Sequence, residues 1–239
     1  SIASMFRDDP ARGEKFSRES AGIFFDFSRQ HLDSETLASL FTLADQTNVK
    51  EGVERMFSGE HINNTENCPA LHVALRRPVD RQLLLDKKNL MPLVEAERKK
   101  MRALVDQLRS GQLQGYTGKR ITNVVNIGIG GSHIGPLMAT DALIEYRTSD
   151  LKVHFISGVD GVELFEVLDQ VSVDTTLFIV CSKSFATSET LINAQIARDW
   201  VYSAGGERAV ENQFIGVSSN HKAMNEFGIA SNKQFVLWN

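Results

Sequence analysis

The chain has 239 residues, 42% of them hydrophobic and 23% charged, which suits one large globular domain or a domain with an appendage. A formal net charge of −4 and a pI near 5.9 give no overall pull toward nucleic acid or an anionic membrane, so an anionic ligand has to be drawn in locally. The two cysteines, Cys68 and Cys181, lie far apart without CxxC spacing, as suits a reducing compartment, and no run approaches the ~20 apolar residues of a membrane span.

Residues 1–115 read as a mainly helical region. The amino end, Ser1-Ile-Ala-Ser-Met-Phe, is no signal peptide and lacks an initiator Met, so the chain is expected to be cut from something longer. From Ser34, the residues Leu37, Leu40, Phe41 and Ala44 share one helical face, with Asp33 or Ser34 as the cap. Val49–Phe57 predicts a short helix stopped at Gly59. Met91–Leu108 predicts a longer one, with Val94, Met101, Leu104, Val105 and Leu108 along a stripe and Ser110-Gly111 at its end. Its basic cluster, Arg98-Lys-Lys100 with Arg102, reads as a solvated face rather than a nucleic-acid contact.

From residue 120 strands and helices alternate. Strands are predicted at 122–127, 152–156, 176–181, 213–217 and 234–237, with helices at 134–146, 161–168, 187–203 and 221–227 between them. Runs such as Leu177-Phe-Ile-Val-Cys181 are apolar throughout, which signals burial on both faces and a parallel sheet. Right-handed crossovers then predict a doubly wound, mainly parallel three-layer α/β/α domain over 116–239, with the helical region packed on it. The last strand pattern runs to the end of the chain, so truncation is expected there too.

Two strand-to-turn segments carry the chemistry. In the first, Gly128, Gly130, Gly131 and Gly135 remove Cβ atoms where amides need to approach an oxyanion. Ser132 is placed to cap the helix beginning near Ile134, with Pro136 in its first turn. A dinucleotide fingerprint would need glycine at His133, and a Walker pattern fails at Pro136-Leu137. In the second, Ser182, Ser184, Thr187, Ser188 and Thr190 offer five hydroxyls within nine residues. Capping alone needs one or two of them. Free amides at a helix amino end, with Lys183 as a point charge, suit a phosphate dianion. Glu189 lies one turn inside that helix, where a carboxylate orients hydroxyls or moves protons as an auxiliary catalytic group, or merely answers the helix dipole. Cys181 reads as a small core residue. His61, Cys68 and His72 lack a fourth partner and a usual spacing, so no metal site is expected.

These segments resemble the glucose-6-phosphate isomerase (phosphoglucose isomerase) family, and within it the first sugar-isomerase (SIS) domain. Gly128-Ile-Gly-Gly-Ser-His-Ile-Gly-Pro136 is similar to the family's GIGGS-D-L-GP, and Ser182-Lys-Ser-Phe-Ala-Thr-Ser-Glu-Thr190 to its SKTFTTQET. Further collinear matches include Met56-Phe-Ser-Gly-Glu-His-Ile-Asn63, Leu71-His-Val-Ala-Leu-Arg76 and Glu226-Phe-Gly-Ile229. The resemblance implies a sugar-phosphate substrate, contacted by Gly131 and Ser132 in one turn and by Ser182, Lys183, Ser184, Phe185, Ala186 and Thr187 in the other, with Glu189 near the sugar. It implies aldose–ketose isomerisation without cofactor or metal, in a cytoplasmic homodimer that binds neither nucleic acid nor membrane. The family's proton-transfer and ring-opening groups would lie beyond Asn239, so this chain alone is expected to be inactive. Four positions depart from the pattern: Ser184 and Ala186 for Thr, His133 for Asp and Cys68 for Arg. A non-catalytic sugar-phosphate sensor on the same fold is the rival reading, although residues 1–115 show no helix-turn-helix with a basic recognition helix.

Overall fold

The computed structural model describes residues 1–238; Asn239, where the sequence-based domain ends, lies outside the described residues. The chain separates into two units, Ser1–Leu90 and a second beginning at Met91. This division and the sequence-based one at 115/116 differ by one long helix.

In the first unit, α1 (Ile2–Asp8) starts at a reciprocal capping box between Ser1 and Ser4. The short α2 (Arg12–Lys15) carries a buried arginine. Arg12 spends its guanidinium on Ser28 O at 2.6 Å and Gln30 O at 2.8 Å and lies over the Phe16 ring. The expectation of a mainly helical region misses an antiparallel hairpin of β1 (Ser17–Ser20) and β2 (Ile23–Asp26). Ala21 and Gly22 both take positive φ in its two-residue turn, the geometry that matches strand twist. Helix α3 (Ser34–Gln46) is capped by Asp33, whose carboxylate accepts the Thr36 amide at 2.7 Å. Its apolar stripe has no buried member. Helix α4 (Val49–Ser58) ends on Gly59 in the left-handed region, and β3 (Leu84–Leu85) pairs with β4 (Lys88–Asn89).

The second unit opens with α5 (Met91–Ser110), then runs through β5 (Asn123–Ile127), α6 (Gly131–Ala142), β6 (Lys152–Ile156), α7 (Val162–Gln170), β7 (Thr176–Cys181), α8 (Ser188–Gln213), β8 (Phe214–Ser218), α9 (His221–Phe227) and β9 (Gln234–Val236). The five strands form one sheet in the order β6-β5-β7-β8-β9, parallel at every pairing. The chain steps one way from β5 to β6 and the other way from β7 onward. Right-handed crossovers then send helices to both faces. On one face Val125, Ile127, Phe178, Val180 and Phe214 pack with residues of α7, α8 and α9. On the other, Leu177, Ile215 and Phe235 pack with Leu104 and Leu108 of α5. This is the expected three-layer doubly wound domain. No helix among the described residues is long and apolar enough to cross a membrane.

Three local expectations need correction. The helix expected at 134–146 starts at Gly131 and breaks after Ala142, with a separate 3-10 turn at Ile144–Tyr146. The helix expected at 187–203 does break nearby, at the non-helical Gly206 (φ 65°, ψ −159°), but a second helical segment that the sequence reading did not expect follows it and carries α8 to Gln213. The basic cluster of α5 is not wholly a solvated face. Lys100 donates to Gln234 O and sits 4.9 Å from the centre of the Phe235 ring, so it joins α5 to β9.

Candidate functional site

The strand order reverses between β5 and β7, and in open α/β sheets the crevice beyond the carboxyl ends at that point is where ligands bind. Both motif turns lie there, one after β5 and one after β7. In the first, Gly128 is required by packing: a Cβ would come within 2.8 Å of Ser132 and 3.1 Å of Cys181 O. That close approach holds the two turns together. Gly130 is the residue before α6 and takes φ 59°, ψ −125°, which an L side chain avoids. A Cβ at Gly131 or Gly135 would meet nothing within 4 Å, so the space above them is open.

Ser132 does not cap the helix, contrary to expectation, since the helix begins one residue before it. Its hydroxyl instead hydrogen-bonds Cys181, whose thiol is pushed up by burial and partly drawn back by that bond. A raised thiol pKa suits a packing residue better than a nucleophile. Pro136 falls beyond the first turn, inside α6. Lacking an N–H, it leaves the Ser132 carbonyl without its helical donor. The buried Asn126 side chain fills that role, Nδ2 donating to Ser132 O at 3.0 Å. His133 turns away from the β7 side: its ring packs edge-on against Phe155 of β6 at 6.0 Å.

The second turn is wound tightly. Ser182 is buried, and its Oγ lies 3.2 Å from Thr187 Oγ1. Thr187 occupies the N-cap of α8 with no side-chain cap bond, so the first amides of the helix keep their donors free for an external acceptor. Phe185 takes φ 50°, is 4% exposed, and stacks edge-on with Phe227 at 5.7 Å. It plugs the loop into the core rather than facing a ligand. Lys183, Ser184 and Ala186 are exposed on the outer side. Glu189 is half-buried, and its Oε2 accepts from Ser188 Oγ at 3.1 Å. Beneath it the Thr190 hydroxyl is buried without a partner among the described residues.

Sequence reasoning missed the residues that hold these turns. Ser218, Ser219 and Asn220 grip the second turn from the end of β8. A third turn, after β6, is gathered by Glu163, whose Oε2 accepts the Ser157 and Gly158 amides at 2.7 and 2.9 Å, and by Asn193 Nδ2, which donates to Gly158 O at 2.7 Å. A serine pair before Asn and an acid in the first turn of a helix were the available signals. Both are common for capping alone. Of the residues weighed as metal ligands, Cys68 accepts weakly from Asn63 at 3.6 Å and His61 lies 4.0 Å from Asp86.

The sheet order and the turns at its switch point define a doubly wound α/β domain of the sugar-isomerase type. A sequence model of phosphoglucose isomerase matches residues 26–239, and the chain belongs to that family. It is 45% identical over 238 residues to a glucose-6-phosphate isomerase of Gloeobacter violaceus and 44% identical to one of Roseiflexus. Each match takes in 99% of this chain but only 43% and 44% of the relative, so the chain spans less than half their length. The crystal structure of a glucose-6-phosphate isomerase from Chlamydia trachomatis superposes with a TM-score of 0.80 at 23% identity, covering all of this chain and 45% of that one, which supports the fold.

Proposed function

We propose that this chain is the sugar-phosphate-binding part of a glucose-6-phosphate isomerase, interconverting glucose 6-phosphate and fructose 6-phosphate through a cis-enediol. The observation that carries this reading is the pair of donor-rich turns facing one crevice between β5 and β7, in a member of this family. The phosphate dianion is held by the hydroxyls of Ser182, Ser184 and Thr187 and the free amides at the start of α8, with Lys183 supplying charge. Gly131 and Ser132 close the other side, where nothing obstructs a ligand at Gly131. Ala186 contributes backbone only, and Phe185 fixes the loop's shape. Glu189 orients sugar hydroxyls.

The C1–C2 proton transfer needs an acid–base group over those carbons, and we assign it to the length of the relatives that this chain does not span. The reaction so drawn uses no metal or cofactor, and the whole protein is a cytoplasmic homodimer in which residues 116 onward form the sugar-phosphate domain. Crystals soaked with 6-phosphogluconate or sulfate test the site. Density is expected against Ser132, Ser182, Ser184 and Thr187; an anion bound elsewhere, with this crevice empty, would overturn the assignment.

A further inference from the structure

The second turn holds its shape through a neighbour. The Lys183 carbonyl accepts three donors from the segment after β8: Ser218 Oγ at 2.8 Å, Ser219 Oγ at 2.7 Å and the Ser219 amide at 2.9 Å. The next carbonyl, Ser184 O, accepts Asn220 Nδ2 at 3.1 Å. Ser182 N extends the β7–β8 ladder by donating to Val217 O at 3.1 Å. The gripping segment is itself fixed. Ser218 is fully buried and its Oγ accepts the Asn220 amide, while Asn220 Oδ1 caps α9 by accepting Ala223 N at 3.0 Å.

A peptide's carbonyl and its adjoining amide point in opposite directions. Tying the Lys183 and Ser184 carbonyls toward β8 therefore fixes where the next amides and the Ser184 hydroxyl face. Thr187, beyond the Phe185 plug, is held by its own tie, Oγ1 lying 3.2 Å from Oγ of the buried Ser182. A loop with Lys183 and Ser184 exposed and no hydrogen bond to β8 would lose backbone order, and fixing it on binding would cost conformational entropy. We infer that Ser218, Ser219 and Asn220 are positioning residues, which preorganise the turn after β7 for a phosphate without touching it. This rests on the phosphate reading of that turn.

Inorganic phosphate, titrated into isotope-labelled protein and monitored by amide shifts, provides the test, with hydrogen exchange as a second readout. In the unaltered protein phosphate should move the amides of 184–190. Ser219→Ala removes one exposed hydroxyl and Ser218→Ala/Ser219→Ala removes both. The single variant, losing one neutral hydrogen bond, should bind phosphate about threefold to fivefold more weakly, and the double variant, which also removes the acceptor of the Asn220 amide, tenfold or more. Exchange should quicken at 183–187 but not in β5 or β7. Ser219→Thr should restore binding. If the double variant does not fold, Ser219→Ala and Asn220→Ser, which keeps a capping oxygen, answer the same question. Phosphate binding unchanged in the variants would overturn the positioning role alone. No phosphate binding at 184–190 in the unaltered protein would overturn the phosphate reading and the positioning role with it.

Discussion

At Phe185 the backbone takes φ 50°, where a side chain crowds its own carbonyl at a cost of about 1–2 kcal/mol. Burial of the ring against Phe227 offsets that cost, since removing a buried phenylalanine destabilises by about 3–5 kcal/mol. Phe185→Gly should therefore relieve the backbone and still lower stability by a few kcal/mol in urea unfolding, and Phe185→Ala should lower it further. Thr187 presents the opposite balance. Among the described residues its hydroxyl meets only Ser182 Oγ, and it caps nothing. Thr187→Ala should thus change unfolding free energy by under ~1 kcal/mol. The same change should weaken phosphate binding by about 1.5–3 kcal/mol, the range for a hydrogen bond to a charged group. Equal losses in calorimetric binding and in stability would contradict the separation.

Helix α8 shows how much a single element can hide from a sequence. Ala204-Gly-Gly206 has the composition of a stop, yet the helix resumes. Gly205 is required because a Cβ there would stand 2.6 Å from the Tyr116 ring. Arg198 spans the kink, pairing with Glu207 at 3.1 Å while its Nε donates to Phe227 O at 2.8 Å. Such tertiary partners leave no trace in local propensity. Gly206→Ala places a Cβ in a region almost reserved for glycine and should cost about 1–3 kcal/mol, read as a lowered urea midpoint.

A titrating group from the turn before β9 reaches the far end of α8. Lys233 Nζ donates to Glu211 O at 2.9 Å and Asn212 O at 2.5 Å, and burial pulls its pKa from 10.5 down to about 8, against the pull of Glu211. Below pH 8 both folded and unfolded chains hold the proton, and the full cost of burying the charge is present. Between pH 8 and 10.5 the unfolded chain binds more proton, so stability from this group should rise with pH, by on the order of 2 kcal/mol. Urea titrations from pH 7 to 10.5 should show that rise, and Lys233→Met should flatten it.

For the molecule as a whole, the strands of the sheet were legible to within about a residue, most plainly β7, whose Leu177–Val180 are apolar without interruption between two covered faces. The β1–β2 hairpin was not. Its turn is Ala21-Gly22 rather than Asn-Gly, and Ser17-Arg-Glu-Ser20 lacks alternation. The hydroxyls of the candidate site could be read in one stretch of chain, whereas their holders, Ser218 to Asn220, come from a strand some thirty-five residues on. Exposed apolar residues also persist along α6 and beyond it, with Ile134 62%, Met138 66% and Tyr146 79% accessible. Ile134 and Met138 lie one turn apart. A patch of this kind favours association, so sedimentation should show concentration-dependent self-association that Met138→Gln with Ile134→Gln reduces.

The tie from Lys100 to Gln234 O joins the first helix of the second unit to its last strand, across 134 residues. On a ribosome adding roughly 5–20 residues per second, α5 emerges on the order of ten seconds before its partner strand exists. Until then its Leu104 and Leu108 have no Phe235 to pack against. The nascent chain therefore passes through an interval in which the sheet is still open, and this is when a chaperone that binds exposed leucines has the most to hold.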